Sequence, residues 1–285
     1  MYVRKSYNLG QVIQRELYYP GNFGAPGKPR TKKKEPTPED VSRQNQKNKE
    51  KHIQRLIIAN FKGRDYWLTL TYDRDKHPDD FKDAEKTVRH FIANMRYACR
   101  KAGATFKWIL VTEMGSRGAV HHHFVIEDLT NAVNGVNTKE LVMDSWPHGK
   151  KFSFVPLYED GDYNALAGYI AKSRGEKGET SFSHSRNNLV IPKPKYKKMR
   201  RKRWPEDPEP IKGWYIVKDS IYNGINPVTG YPYQHYSMRR LKPMQKPPPK
   251  QPAGKKALPD NSPVRIKPYG SRTKKNTSSS ISGTG

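Results

Sequence analysis

Two short strand-like runs separated by a glycine turn constrain the fold of this chain more than any other feature. The runs cover residues 107–113 and 120–127, and Gly115 and Gly118 stand in the turn between them. Both runs consist largely of apolar and β-branched residues, which favour strands, and a short glycine-containing turn favours a hairpin. We therefore expect an antiparallel pair of strands near the middle of the chain.

The predicted hairpin carries residues of the types that bind metals. His121 and His123 are two apart and share a face of their strand, whereas His122 points to the opposite face. The turn brings Glu113, at the end of the first strand, beside the two imidazoles. This donor set suits a divalent ion with open coordination positions, such as Mn, Mg, Zn or Fe. A packed or solvated histidine is the more common finding on a strand, and a structural zinc site is an alternative.

A second pattern lies downstream. Residues 160–172 predict a helix whose packed stripe contains Tyr163, Leu166 and Ile170. Tyr169 and Lys172 are three apart and are therefore neighbours on its surface. A tyrosine hydroxyl, with a pKa of about 10, is a poor nucleophile unless its phenolate is stabilised, which a nearby lysine and a metal-bound phosphate would do. Tyrosine and lysine are common in this chain, so the pair indicates chemistry only in combination with the histidines.

The order of predicted elements indicates the fold class. Around the hairpin the sequence predicts a strand at 66–72, a long helix from 81 to about 103, a short helix at 138–145, a strand at 152–157 and the helix of Tyr169. This β-α-β-β-α-β-α order predicts an α+β fold, a ferredoxin-like split β-α-β antiparallel sheet with helices on one face. The other face is expected to be free for substrate.

Four elements of this sequence resemble the motifs of a known superfamily. Tyr66 to Tyr72 is similar to its first motif, His121 to His123 followed by Phe-Val-Ile to its His-hydrophobic-His motif, and Tyr169-Ile-Ala-Lys172 to its Tyr-x-x-Lys motif. Glu113 matches the acidic ligand of many members. The chain thus resembles the HUH endonucleases, and within them the rolling-circle replication initiator (Rep) proteins of plasmids and phages. The resemblance covers residues 64–175, and the middle histidine departs from the motif.

The resemblance implies an activity, a site and partners. It implies a metal-dependent, site-specific DNA endonuclease and nucleotidyltransferase in which Tyr169 forms a 5′-phosphotyrosine and Lys172 stabilises charge. Glu113, His121 and His123 would hold the divalent metal, with Mn or Mg expected. The implied partners are single-stranded or hairpin origin DNA and the host helicase and DNA polymerase. The implied location is the cytoplasm of a bacterial host.

Other functions are compatible with these motifs. A conjugative relaxase or a single-strand transposase would use the same chemistry on a different DNA substrate. A non-enzymatic nucleic-acid-binding protein with a structural metal is an alternative from another class. That alternative requires a closed site with a fourth ligand from elsewhere in the chain.

Charge indicates a polyanionic partner. The chain has 54 Lys and Arg against 27 Asp and Glu, a net charge of +27. Nucleic acid is the expected partner, because no run is apolar enough to span a membrane and no signal peptide opens the chain. The single cysteine, Cys99, excludes an internal disulfide and is expected in the core.

Composition divides the chain into five segments. They are a basic N-terminal arm at 1–36, a helical extension at 37–62, the endonuclease domain at 63–185, a basic segment with a small β appendage at 186–241, and a disordered basic tail at 242–285. Basic side chains interleaved with aromatic rings favour nucleic-acid contact, although a solubilising charge run is an equally good explanation. The candidate DNA contacts of the basic segment are Lys193, Lys195, Lys197, Lys198, Arg200, Arg201 and Arg203. Four basic residues of the helical extension, Lys47, Lys49, Lys51 and Arg55, are weaker candidates.

Removal of residues 242–285 should weaken DNA binding without abolishing cleavage. The reason is that the tail carries uncompensated positive charge outside the predicted domain, and each lost phosphate contact lowers the salt slope of binding by about one unit. DNA affinity measured as a function of salt concentration checks this. Loss of all nicking in the truncated protein would contradict the accessory role of the tail.

Overall fold

The computed structural model describes residues 1–20, 36–115, 118–130, 135–158, 162–172, 179–186, 188–226 and 229–241. The predictions for turn residues 116–117, for the start of the Tyr169 helix before residue 162, for residues 21–35 and for the tail lie outside these ranges. In chain order the elements are β1 (Tyr2–Asn8), β2 (Val12–Tyr18), α1 (Pro38–Asn60), β3 (Tyr66–Leu70), α2 (Phe81–Lys101), β4 (Trp108–Met114), β5 (Val120–Ile126), α3 (Thr138–Ser145), β6 (Phe152–Pro156), α4 (Asn164–Ala171), β7 (Glu179–His184), β8 (Lys195–Met199), β9 (Trp214–Ile225) and β10 (Pro232–Arg240).

The central sheet has the strand order β6-β3-β5-β4-β7, and its neighbouring strands are antiparallel. The first two connections through helices, β3-α2-β4 and β5-α3-β6, give the split β-α-β arrangement, and β7 extends the sheet beyond β4. The prediction of an α+β fold with an antiparallel sheet is confirmed. None of the helices in the described ranges has the length and apolarity needed to cross a membrane.

Helix α2 covers one face of the central sheet because its apolar residues recur at helical spacing. Val88, Phe91 and Met95 are buried against sheet residues that include Phe124. The Asp80 side chain caps the helix by accepting a hydrogen bond from the Asp83 amide. The short helix α3 lies on the same face and completes this layer.

The opposite face of the central sheet also carries helices. Ile53 and Leu56 in the last turns of α1 pack with Ile170 of α4 against Ile109 and Val125 of the sheet. Helix α1 begins with a capping box between Thr37 and Asp40 and is polar until these last turns, as the sequence predicts. The expectation that this face is free for substrate is therefore wrong over the area covered by α1 and α4. The reason is that both helices carry short apolar stretches that need a partner.

Residues 1–20 are not an extended arm. They form the hairpin β1-β2, which lies inside a second antiparallel sheet of strand order β8-β1-β2-β10-β9. Gly10, with φ of +85°, makes the tight turn of this hairpin. The expected apolar alternation is missing because two inward positions of β2 are the polar residues Gln14 and Glu16, both buried. Long-range pairing and polar partners decide this structure.

Those polar residues pair with helix α1. The Arg55 guanidinium donates to Glu16 at 2.7 Å and to Gln14 at 2.8 Å. Lys51 and Lys5 lie 3.6 Å and 3.5 Å from the same carboxylate. Burial alone would raise the pKa of the Glu16 carboxyl, but Arg55 and then Lys51 and Lys5 lower it to about 2. The second sheet and α1 are thus joined by a buried ion pair.

Replacement of this carboxylate, Glu16→Gln, should lower the free energy of unfolding at neutral pH by about 3 kcal/mol, because it leaves the Arg55 charge buried without its partner. The folded-state pKa of Glu16 lies below the unfolded value of about 4.5, so its contribution is complete above that pH and is lost as the pH falls towards 2. Urea unfolding at about pH 7 and about pH 3 measures both effects.

The exposed carboxylate Glu209 supplies the control. Glu209→Gln should leave the free energy of unfolding nearly unchanged at both pH values. An equal difference between wild type and Glu16→Gln at the two pH values would contradict the assigned role of Glu16.

Candidate active site

The Tyr169 hydroxyl lies against the acidic and imidazole side chains of the hairpin. It donates a hydrogen bond to Glu113 Oε2 at 3.0 Å and lies 3.3 Å from His123 Nε2. The same two acceptors are 3.8 Å from each other. Glu113 is buried, and Tyr169 and His123 are partly buried. Residues far apart in the sequence therefore form one compact polar cluster beside α4.

Strand register places the two histidines and the carboxylate on one face. Glu113 of β4 is paired directly with His121 of β5, and Val111 with His123. Paired residues and residues two apart share a face of the sheet, so all three chain positions face the layer of α1 and α4. The predicted proximity of Glu113 to the histidines is what the hairpin produces.

Two residues of β3 fix the His123 ring. Thr69 Oγ1 lies 3.0 Å from His123 Nδ1, and the Trp67 ring stacks on the imidazole at a centroid distance of 5.3 Å. Trp67 also contacts the Tyr169 ring edge to face at 5.9 Å. With Nδ1 occupied, Nε2 is directed to Tyr169. The motif resemblance assigns no role to Trp67 or Thr69, although their spacing of two on a predicted strand is the signal that places both on the site face.

His121 completes the set in a different way. Its ring centroid is 6.1 Å from that of His123, and its Nδ1 atom is buried with no hydrogen-bond partner among the described residues. Within the part of the chain that the structure describes, no three His, Cys, Asp or Glu side chains converge as a metal site. Glu113 and His123 instead converge on the Tyr169 hydroxyl.

His122 faces the other side of the sheet, as its position in the strand predicts. It is fully buried, with Tyr72 Oη 2.7 Å from Nε2 and Thr112 Oγ1 2.9 Å from Nδ1. Burial, together with the neighbouring histidines, lowers the pKa of His122 to about 3. The imidazole is therefore neutral and belongs to the core under α2 and α3.

Helix α4 is shorter than predicted. It begins at Asn164, so Tyr163 is its N-cap residue and not part of a packed helical stripe. Tyr163 has a left-handed backbone with φ of +56°, and its hydroxyl donates to the carbonyl of Tyr158 at 2.9 Å. Lys172 is the C-cap residue, with its amide bonded to the Gly168 carbonyl and its side chain exposed. The structure brings Tyr169 to the cluster but shows the Lys172 side chain in solvent.

The basic segment lies on the second sheet. Its seven candidate residues are all exposed, and three of them belong to the edge strand β8. Lys195 and Lys197 alternate with Lys198, so the lysines of this strand are divided between the two faces of the sheet. These residues form a surface separate from the Tyr169 cluster.

The arrangement of the cluster supports proton removal from a phenol. A carboxylate at hydrogen-bond distance is a suitable proton acceptor, and an imidazole nitrogen beside it offers a second. Both acceptors are held by strands, and the imidazole is additionally oriented by Thr69 and Trp67. A preorganised acceptor next to one tyrosine is the requirement for a tyrosine nucleophile.

Comparison with known families agrees with this location. Residues 65–174 match a family described as replication-associated protein ORF2. The matched range contains Glu113, the histidines and Tyr169. No curated protein and no solved structure matches the chain significantly. Over its central sheet, the chain is therefore similar to replication-associated proteins of the ORF2 family, and this similarity supports a role as a replication initiator.

Proposed function

We propose that this protein nicks and rejoins single-stranded origin DNA through a covalent intermediate on Tyr169, and so starts rolling-circle replication. The observation that carries the proposal is the contact of the Tyr169 hydroxyl with Glu113 and His123 inside the region that matches replication-associated proteins. Tyr163, at the beginning of the same helix, is engaged with a backbone carbonyl instead. Tyr169 is therefore the nucleophile.

The reaction is balanced without an external energy source. The phenol proton passes to the Glu113 carboxylate or to His123 Nε2, and the phenolate oxygen forms a bond to the scissile phosphorus. The bond from phosphorus to the 3′ oxygen breaks, and that oxygen leaves as a hydroxyl after taking up a proton. The DNA keeps its 5′ phosphate on Tyr169. Attack by a 3′ hydroxyl reverses the step and joins the strand.

The residues at the site fit a divalent ion by their donor chemistry. A carboxylate and two imidazoles form a usual set for Mn or Mg with open positions, and the His121 Nδ1 atom is buried without a partner among the described residues. Glu113, His121 and His123 would hold the ion. When bound, the ion would supply Lewis-acid polarisation of the scissile phosphate and neutralise developing charge. Trp67 and Thr69 orient the His123 ring for this purpose.

Tyr169→Phe should abolish the covalent protein–DNA adduct, because the ring is retained while the attacking oxygen is removed. The protein is incubated with Mn²⁺ and a randomised single-stranded library, denatured, and the attached strands are sequenced and used as substrates. Tyr163→Phe is the matched control and should retain the adduct. Lys172→Ala should slow adduct formation at unchanged DNA affinity, if its exposed side chain stabilises charge in the reaction.

Mass spectrometry of the trapped adduct identifies the modified residue. A nucleotide on a tyrosine other than Tyr169 would overturn the assignment. Absence of any adduct with strands that bind tightly would overturn the proposed chemistry.

The metal proposal has its own test in the three consecutive histidines. His121→Ala and His123→Ala should each lower Mn²⁺ affinity by about 10-fold or more and remove cleavage, with little change in the unfolding temperature. His122→Ala should instead lower the free energy of unfolding by about 2–4 kcal/mol, because it opens a cavity in the core and leaves Tyr72 and Thr112 without their partner.

Calorimetric titration of Mn²⁺ and thermal unfolding separate these effects. Loss of Mn²⁺ binding in folded His122→Ala, with binding kept in His121→Ala, would show that the opposite face of the strand holds the ion.

A further inference from the structure

A cavity of about 510 Å³ lies between α1 and the second sheet. Sites of about 300–1,000 Å³ hold one small ligand. The residues that line it come from β1, β2, α1 and the β9-β10 region, all outside the segment that matches replication-associated proteins. The cavity is therefore distinct from the Tyr169 cluster.

The wall formed by α1 is polar and basic. Gln44, Lys47, Asn48 and Lys51 line the cavity, and their spacing of i, i+3, i+4 and i+7 places them on one face of the helix. A helix that packs on a sheet normally presents an apolar stripe in these positions. Later in the same helix, Ile58 and Ala59 do pack on residues of the β1-β2 hairpin. The first half of α1 thus faces the sheet across a polar space.

The floor of the cavity is a row of paired sheet residues. Lys5, Glu16, His235 and Tyr222 are paired directly from β1 through β2 and β10 to β9, so they share one face. In the adjacent row, Tyr18 is paired with Tyr233. Three tyrosines of the sheet therefore line a cavity whose other wall carries lysines.

The charge of this space favours an anion. Its lining includes three lysines and one carboxylate, Glu16, which is already bound by Arg55 at 2.7 Å. Lys51 also donates to the Tyr233 hydroxyl at 2.7 Å, whereas Lys47 is exposed. Since the carboxylate is neutralised from inside the protein, an excess of positive charge remains towards solvent.

Tyr222 offers an accessible ring beside these lysines. Its side chain is 51% exposed and lies over Gly224, where a Cβ atom would stand only 2.6 Å from the Tyr222 hydroxyl. The absence of that Cβ lets the ring lie against the strand. On the same face of the sheet, Tyr196 of β8 is paired with Lys5 and is 62% exposed. Exposed rings and ammonium groups therefore continue from the cavity along the sheet.

We propose that this cavity binds an unpaired nucleotide of a single-stranded DNA segment. Tyr222 stacks on the base and Lys47 contacts a phosphate, a combination of ring and cation that binds single strands without sequence preference. The bases of a duplex are covered on both faces and cannot use the ring in this way. The choice of DNA as the ligand rests on the proposed function, whereas the geometry of the cavity is independent of Tyr169.

Photocrosslinking of the full chain tests the proposal directly. The probe is a short oligothymidylate with one 5-iododeoxyuridine, used with EDTA so that no cleavage occurs. We expect a crosslink to a tyrosine of the cavity, identified by mass spectrometry. Tyr222→Ala should lower affinity for the oligonucleotide by about 10-fold, in line with the effect of removing one stacking ring, while Tyr222→Phe keeps most of the affinity. Lys47→Glu should weaken binding and reduce its salt dependence.

Tyr97 provides a matched control, since it is similarly exposed, at 48%, on α2. Tyr97→Ala should bind the oligonucleotide like the wild type. Unchanged affinity in folded Tyr222→Ala, or crosslinks confined to residues outside the cavity, would overturn the proposal. Thymidine monophosphate should bind much more weakly than the oligonucleotide. Equal affinity for the two ligands would assign the cavity to a free nucleotide and overturn binding of a strand.

The outcome is separable from that of the nicking proposal. A crosslink in the cavity together with no adduct on Tyr169 would reject nicking and keep the cavity as a DNA site. An adduct on Tyr169 with no crosslink in the cavity would reject the cavity and keep nicking.

Discussion

The buried pairing of Arg55 with Glu16 determines how the two sheets of this protein are joined. Taking a guanidinium and a carboxylate out of water is costly, so both groups need complete sets of partners. Arg55 obtains them from Gln14, Glu16 and the face of the Tyr7 ring, whose centroid is 3.6 Å from the guanidinium carbon. All these partners belong to the β1-β2 hairpin. Helix α1 is thereby fixed to the second sheet by charge and to the central sheet by its apolar residues.

The same helix reaches the element that carries the proposed nucleophile. Gln54, the neighbour of Arg55, donates to the Asp162 carbonyl and to Asn164 Oδ1, each at 2.7 Å, and accepts from Gln14. Asn164 is the first residue of α4. A continuous set of buried polar contacts therefore links the second sheet, through α1, to the beginning of the helix of Tyr169.

The parts of the structure that local pattern controls could be predicted from the sequence. The α2 stripe, the histidine hairpin and the Thr37 cap follow from apolar spacing, strand alternation and capping chemistry, which act over a few residues. The β1-β2 hairpin could not be predicted in this way, because its inward positions Gln14 and Glu16 look like solvent-facing residues until Gln54 and Arg55 are placed opposite them. The start of α4 was also beyond local pattern, since a left-handed Tyr163 ends the expected stripe.

The candidate site divides along the same line. The common face of His121 and His123 follows from strand periodicity, and their proximity to Glu113 follows from a short turn. The approach of Tyr169 is a tertiary property. Helix α4 has eight residues, fewer than an isolated helix needs to be stable in water, so its position depends on packing with α1 and the central sheet. The tyrosine therefore meets its proton acceptors only when α1 is in place, and α1 is held in place by the buried charges of a sheet that lies outside the replication-associated region.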